Sequence, residues 1–153
     1  VVPEDVQGYV EMRQKLPMPI AGGENEHTLY GFREFLGAGA VDVAQPDVGS
    51  CGGLSACRHI LALAQAHGIQ VNPHVWGSAI AQAASLQLIA ALPVAHHSLF
   101  ALEPILEYDR STHPFRQYLI TKPIQQVQGW VEIPSGPGLG VEVDREVLEK
   151  YRV

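Results

Sequence analysis

Val71-Asn72-Pro73-His74-Val75-Trp76-Gly77-Ser78 is the stretch on which the reading of this chain turns. A short apolar run, Gly68-Ile69-Gln70-Val71, leads into it, and a long apolar stretch from Ala79 to Leu92 follows. The pattern is strand, loop, helix, with one histidine at the carboxyl end of the strand. Two earlier apolar runs end the same way in carboxylates, Ile20-Ala21-Gly22-Gly23-Glu24-Asn25 and Val41-Asp42-Val43-Ala44-Gln45-Pro46-Asp47. A later one does so too, Ile105-Leu106-Glu107-Tyr108-Asp109. Titratable side chains at the C-terminal ends of successive strands mark the catalytic face of an α/β barrel.

Between these runs lie helical signals. Pro3-Glu4-Asp5 opens a first helix, whose apolar stripe is Val6, Tyr9, Val10 and Leu16 and which Pro17 stops. Thr28 is placed to cap a second helix, with Leu29, Phe32 and Leu36 at i, i+3 and i+7. Cys57, Ile60, Leu61 and Ala64 define a third, closed at Gly68, and Ser78 to Leu92 a fourth. Strands are expected at Met18 to Ala21, Val41 to Ala44, Ile69 to Val71 and Pro104 to Glu107. Strands separated by single helices run parallel, so the order α-βα-βα-βα-β describes about half of a (β/α)8 barrel, which takes about 250 residues when whole. A doubly wound, flavodoxin-like sheet is the competing architecture, but no glycine-rich phosphate loop follows the first strand. After Asp109 the periodicity is lost. Residues 1–109 therefore read as the half barrel and 110–153 as a C-terminal segment that packs on something else, with short extended pieces near Trp130 to Pro134 and Gly140 to Asp144 and a last helical turn near Arg145 to Tyr151.

Composition excludes several classes of function. A chain of 153 residues, 46% hydrophobic and 17% charged, is long and apolar enough to bury a core. Its net charge of -6 is not the footprint of a nucleic-acid binder. No uninterrupted apolar run has the length of a membrane helix, because Gln82, Ser85 and Gln87 break the longest one. Cys51 and Cys57 lack metal-site spacing and read as reduced thiols of a cytoplasmic protein. No signal peptide is evident, and a start at Val1 without methionine suggests a fragment or processed product.

Five short motifs, Gly22-Gly23-Glu24-Asn25-Glu26, Gln45-Pro46-Asp47, Cys51-Gly52-Gly53, Asn72-Pro73-His74 and Leu106-Glu107-Tyr108, stand together in an order and spacing that resembles the mandelate racemase / muconate lactonizing enzyme family of the enolase superfamily. The likeness runs from Val1 to about Asp144. It implies strands five to eight of the catalytic barrel, followed by the segment that rejoins an N-terminal capping domain. It also implies roles: Glu24 as one carboxylate ligand of an essential Mg²⁺, His74 as general base, Asp47 as its hydrogen-bonded partner, and Glu107 as the acid donating to the substrate carboxylate. The implied chemistry removes a proton α to a carboxylate and leaves an enediolate. Physical chemistry supports such a set. An aspartate accepting from one imidazole nitrogen fixes the tautomer and leaves the other nitrogen basic. Superfamily sites pair a lysine or histidine base with Mg²⁺, an ion that takes hard oxygen ligands.

Trp76 and Asn72 flank His74 and are candidate substrate contacts, with Tyr108 a further aromatic at the same mouth. The adjacent pair His96-His97 superficially suggests a metal site, although neighbouring side chains diverge on any regular backbone. The remaining metal carboxylates and the lysine base that the resemblance requires are missing, and Lys15, Lys122 and Lys150 lie in the wrong places to substitute. The chain alone is therefore expected to be inactive, with a partner in the N-terminal half of the barrel and the capping domain, a small carboxylic acid as substrate, and a homo-oligomeric assembly. An acid-sugar dehydratase is the favoured reading. A racemase or epimerase of a 2-hydroxy or amino acid shares the first step, and a non-catalytic half barrel that only associates with its complement is the alternative from another class. A divalent-metal hydrolase would want several histidine ligands, and only His74 ends a strand.

Overall fold

A computed structural model describes residues 1–92 and 103–152. His96 and His97 lie outside the described residues. The elements in chain order are α1 (Val6–Lys15), β1 (Ala21–Gly22), α2 (Thr28–Gly37), β2 (Val43–Ala44), α3 (Gly53–Ala66), β3 (Gln70–Val71), α4 (Ala79–Ala90), α5 (Pro114–Gln117), β4 (Gln126–Val127), β5 (Trp130–Val131) and α6 (Arg145–Lys150).

The first three strands form one parallel sheet in the order β1-β2-β3, with Ala21 opposite Val43 and Val43 opposite Gln70. Chain order and spatial order agree, with no reversal. Right-handed crossovers in such a sheet put every helix on the same face, the arrangement of a barrel wall; a doubly wound sheet reverses its strand order and binds at the reversal. Burial follows from this one-sided cover. Gly22, Ala44 and Val71 are buried on the side of α2 and α3, while their neighbours Ala21, Val43 and Gln70 are not. Phe32, Phe35 and Leu36 of α2 and Cys57, Ile60, Leu61 and Ala64 of α3 fill the core with Val41, Val71 and Leu88. Val6, Tyr9 and Val10 of α1 pack on its edge, whereas Leu16, expected in the same stripe, is exposed. Tyr9 meets Phe35 edge to face at 5.2 Å.

Three expectations are corrected. The run from Pro104 to Glu107 is not a strand: Pro104 lacks the amide hydrogen a ladder needs, and the Ile105 amide is engaged by the Asn72 side chain at 3.4 Å instead of a backbone carbonyl. The sheet therefore has three strands among the described residues. The first of these begins at Ala21, later than expected, because the Ile20 amide donates to the Asp42 carboxylate and not to a strand carbonyl. Thr28, expected to cap the second helix, is instead its first residue: the N-cap position falls at His27, which makes no side-chain capping bond, and the Thr28 hydroxyl accepts from the Tyr30 amide at 3.3 Å. Beyond residue 110 the segment has structure of its own. A hairpin joins β4 to β5 through Gln128 and Gly129, both with positive φ as a two-residue turn of this twist demands. Asp144 caps α6 by accepting from the Glu146 and Val147 amides. Among the described residues no helix is long and apolar enough to cross a membrane.

Asp42 fastens α1 to the sheet. Its carboxylate accepts from the Ile20 amide at 2.9 Å and from Arg13 Nε at 2.8 Å. Burial works against its ionisation, but the Ile20 amide and the Arg13 guanidinium prevail and hold it below the usual carboxylate range. A depressed pKa adds stability above the unfolded value near about 4, and that contribution is lost as pH falls through the folded value. Asp42→Asn is expected to destabilise the chain by about 1 kcal/mol at about pH 7, a modest sum because both partners are partly exposed. Urea unfolding at about pH 7 and about pH 2.5 tests this: the difference from the parent chain shrinks in acid, and an equal difference at both values would contradict it.

Candidate active site

β2 and β3 carry the chemistry past their formal ends. Asp47 and His74 form an isolated parallel bridge, so the ladder that starts at Val43 and Gln70 continues to these two residues. Adjacent strands lie about 4.8 Å apart, within reach of one hydrogen bond between side chains. His74 Nδ1 lies 2.8 Å from Asp47 Oδ2. The other oxygen, Asp47 Oδ1, accepts from the Gly49 amide at 2.7 Å. A carboxylate is an acceptor, so Nδ1 carries the hydrogen and Nε2 keeps its lone pair. Both side chains are largely shielded, at 21% and 17% exposure.

The free nitrogen faces a third carboxylate. His74 Nε2 lies 3.4 Å from Glu24 Oε2, and Glu24 is half exposed at the end of β1. Glu24 is delivered there by Gly23, whose φ of +112° suits glycine and whose missing Cβ would stand 3.0 Å from the Phe32 ring. Glu26, two residues on, is partly covered; burial pushes its carboxyl up from the ordinary value, His27 opposes this and Glu4 adds to it. A hollow of about 220 Å³ opens beside Glu24, lined by Tyr9, Gly23, Asn25 and Gln45 among others.

Glu107 joins the same mouth through a contact that sequence reasoning did not assign. Gln45 Nε2 donates to Glu107 Oε1 at 2.6 Å, and Gln45 lies two residues before Asp47 on the same strand end. The two-residue spacing puts Gln45 on the face of Asp47 but does not point to Glu107 as its partner. Beyond Glu107, Asp109 pairs with the buried Arg116 at 2.5 Å. Asn72 is less free than expected, since its side-chain oxygen accepts from Gln70 Nε2 at 3.3 Å as well as from Ile105. Trp76 is 68% exposed and rests edge-on against His113 at 6.4 Å. The Tyr108 hydroxyl donates to the Ile124 carbonyl at 3.0 Å, a packing contact.

Glu24 is a hard oxygen donor of the kind Mg²⁺ prefers, but one carboxylate is too few. Among the described residues no group of three or more His, Cys, Asp or Glu could hold a metal ion. The chain's own residues therefore fit a magnesium site in kind and not in number. Cys51 and Cys57 are both free and buried, with their sulfurs 3.2 Å apart behind the Asp47 loop. The contact with Cys57 holds the Cys51 thiol down, while the same contact and burial push Cys57 well up.

What the residues assemble can be compared with known proteins. A family model described as Enolase C-terminal domain-like matches residues 1–147. D-galactarolactone cycloisomerase of Agrobacterium fabrum is 45% identical over 100% of this chain and 40% of its own length. L-rhamnonate dehydratase of Saccharopolyspora erythraea is 38% identical over 96% of this chain and 36% of its own length. The crystal structure of the 3,6-anhydro-D-galactonate cycloisomerase from Zobellia galactanivorans matches with a TM-score of 0.88 and 39% identity, covering 99% of this chain and 40% of that one. The chain thus spans about 40% of the length of these relatives.

Proposed function

Because this chain belongs to the Enolase C-terminal domain-like family, within the mandelate racemase / muconate lactonizing enzyme branch of the enolase superfamily, we propose that it carries the base-bearing part of an active site that removes the α-proton of a sugar acid. The observation that supports this reading best is the Asp47–His74 pair, with Nε2 left basic and turned toward Glu24.

His74 Nε2 takes the proton from the carbon next to the substrate carboxylate. Asp47 holds the ring and balances the imidazolium that forms. Glu107, in its protonated form, donates a hydrogen bond to the carboxylate as charge develops there. Expulsion of an oxygen from the β-carbon completes the reaction, and the imidazolium can return its proton to that leaving oxygen. A departing hydroxyl gives water and a dehydrated acid. A departing ring oxygen stays attached at its other end, and the product is an isomer. One machinery thus serves dehydratase and cycloisomerase alike, the two activities named among the relatives. A divalent cation held by Glu24, with carboxylates from outside this chain, would supply the positive charge that an enediolate requires. Trp76, exposed two residues beyond His74, offers a flat apolar face to a sugar ring, and Asn72 borders the same opening.

The other strands and the capping domain complete the site in this reading. Ala21, Val43 and Gln70 line a sheet face that the helices leave uncovered, as a barrel interior would be without its second half. Residues 110–153 are the segment that packs on the capping domain. A cavity of about 580 Å³ between β5 and the strand-like piece at Val141, bordered by the exposed Trp130, is where such a partner would seat.

The test compares these 153 residues alone with the complete barrel, formed by adding the strands that the relatives carry, using D-galactarolactone, L-rhamnonate and 3,6-anhydro-D-galactonate with Mg²⁺. The complete barrel is expected to consume at least one acid, more slowly when the α-hydrogen is deuterium, and the chain alone none. Turnover by the isolated chain, or no turnover of any acid by the complete protein, would count against the proposal.

A further inference from the structure

We propose that Gln45 is a positioning residue that aims Glu107 at the substrate, so that one strand end, Gln45-Pro46-Asp47, sets both the base and the acid of the site. The inference rests on the reading of the site given above. Residues two apart on an extended strand project to the same face. The Gln45 amide donates to the Gly22 carbonyl at 2.9 Å, and Asp47 bridges to His74, so both positions belong to the ladder. Pro46, fully buried between them, fixes the backbone φ of this strand end. From this common face Asp47 reaches His74 and Gln45 reaches Glu107.

The chemistry of the contact is directional. An amide nitrogen has hydrogens to give and no lone pair to offer, so Glu107 Oε1 must accept. Any proton that Glu107 carries therefore sits on Oε2, the oxygen left for the substrate. At 2.6 Å the bond is as short as a charge-assisted one. Glu107 depends on such a tie because its segment makes no ladder. Side-chain contacts hold it instead, among them Asn72 on Ile105, Tyr108 on Ile124, Arg116 on Asp109 and Gln45 on Glu107.

The experiment is a double-mutant cycle in the complete barrel, with turnover of the sugar acid as the readout. Gln45→Met keeps length and removes the donor; it is expected to lower kcat by about 10- to 100-fold, the scale for losing a group that orients a reacting one, with a smaller change in KM. Glu107→Leu, which keeps the bulk and removes the donor, is expected to cost about 10²- to 10³-fold. In the Glu107→Leu background, where the acceptor of the Gln45 amide and the donor to the substrate are both gone, Gln45→Met should cost less than about twofold more. A merely structural glutamine would give effects that multiply, and that outcome overturns the proposal, as does an unchanged kcat for Gln45→Met. Thermal midpoints of all four proteins separate misfolding from misaiming, and Gln45→Glu, which sets carboxylate against carboxylate without loss of volume, is expected to be at least as impaired as Gln45→Met. Full activity of Glu107→Leu would instead sink the reading of the site as a whole.

Discussion

Asparagine in place of His74 is expected to lower kcat for sugar-acid turnover in the complete barrel by about 10²- to 10⁴-fold, or about 3 to 5 kcal/mol of barrier. The reason lies in which nitrogen is free. Asp47 Oδ2 holds Nδ1 at 2.8 Å and the Gly49 amide occupies Asp47 Oδ1, so the imidazole cannot rotate or exchange tautomers without breaking a partly buried hydrogen bond. Nε2 is left with its lone pair, facing Glu24. Asparagine can still bond to Asp47 through its amide, but it presents no basic nitrogen. Asp47→Asn separates basicity from bulk. Its amide oxygen can keep the Gly49 bond while its nitrogen donates to Nδ1, which moves the imidazole hydrogen to Nε2 and turns the base into a donor. The second variant should therefore approach the first in kcat while KM stays near that of the parent. Turnover undiminished in either one removes the pair from the mechanism.

How much of this could be read in the chain itself differs from residue to residue. Glu24, Asp47 and His74 stood out because each ends an apolar run and each run is one strand-helix unit from the next; parallel register then had to align them. The contact of Gln45 with Glu107 was not legible, since its partners are 62 positions apart and no local pattern relates them. The run Pro104-Ile105-Leu106 has the composition of a strand, yet strand formation needs an amide at the right place and a free neighbour, and Pro104 and Asn72 deny it both. The four-residue helix at Pro114–Gln117 was equally hidden, being too short to show a period; the burial of Arg116 against Asp109 and Ser111 holds it. The uncovered sheet face belongs to a third kind. Ala21, Val43 and Gln70 are not a hydrophobic stripe, so only the one-sided placement of the helices exposes the incompleteness.

Removal of the Phe32 side chain, as Phe32→Ala, is expected to destabilise the fold by about 3 to 5 kcal/mol, against a total that for a domain this size is about 5 to 15 kcal/mol. Phe32 is fully buried where α2 meets the sheet, and its ring fills the space that Gly23 leaves by having no Cβ. The void would open directly beneath the turn that presents Glu24 to His74, so the loss reaches the site as well as the core. Tyr30→Ala on the same helix is the control, because Tyr30 is 71% exposed and its contact with Arg33 is a surface one. That change should fall within about 0.5 kcal/mol of the parent. Urea denaturation of the three proteins decides between them, and circular dichroism of each in the absence of urea shows whether Phe32→Ala still folds. If Phe32→Ala and Tyr30→Ala unfold at the same urea concentration, then α2 is not pinned through Phe32, and the position of Glu24 must be set from the side of the barrel that this chain leaves open.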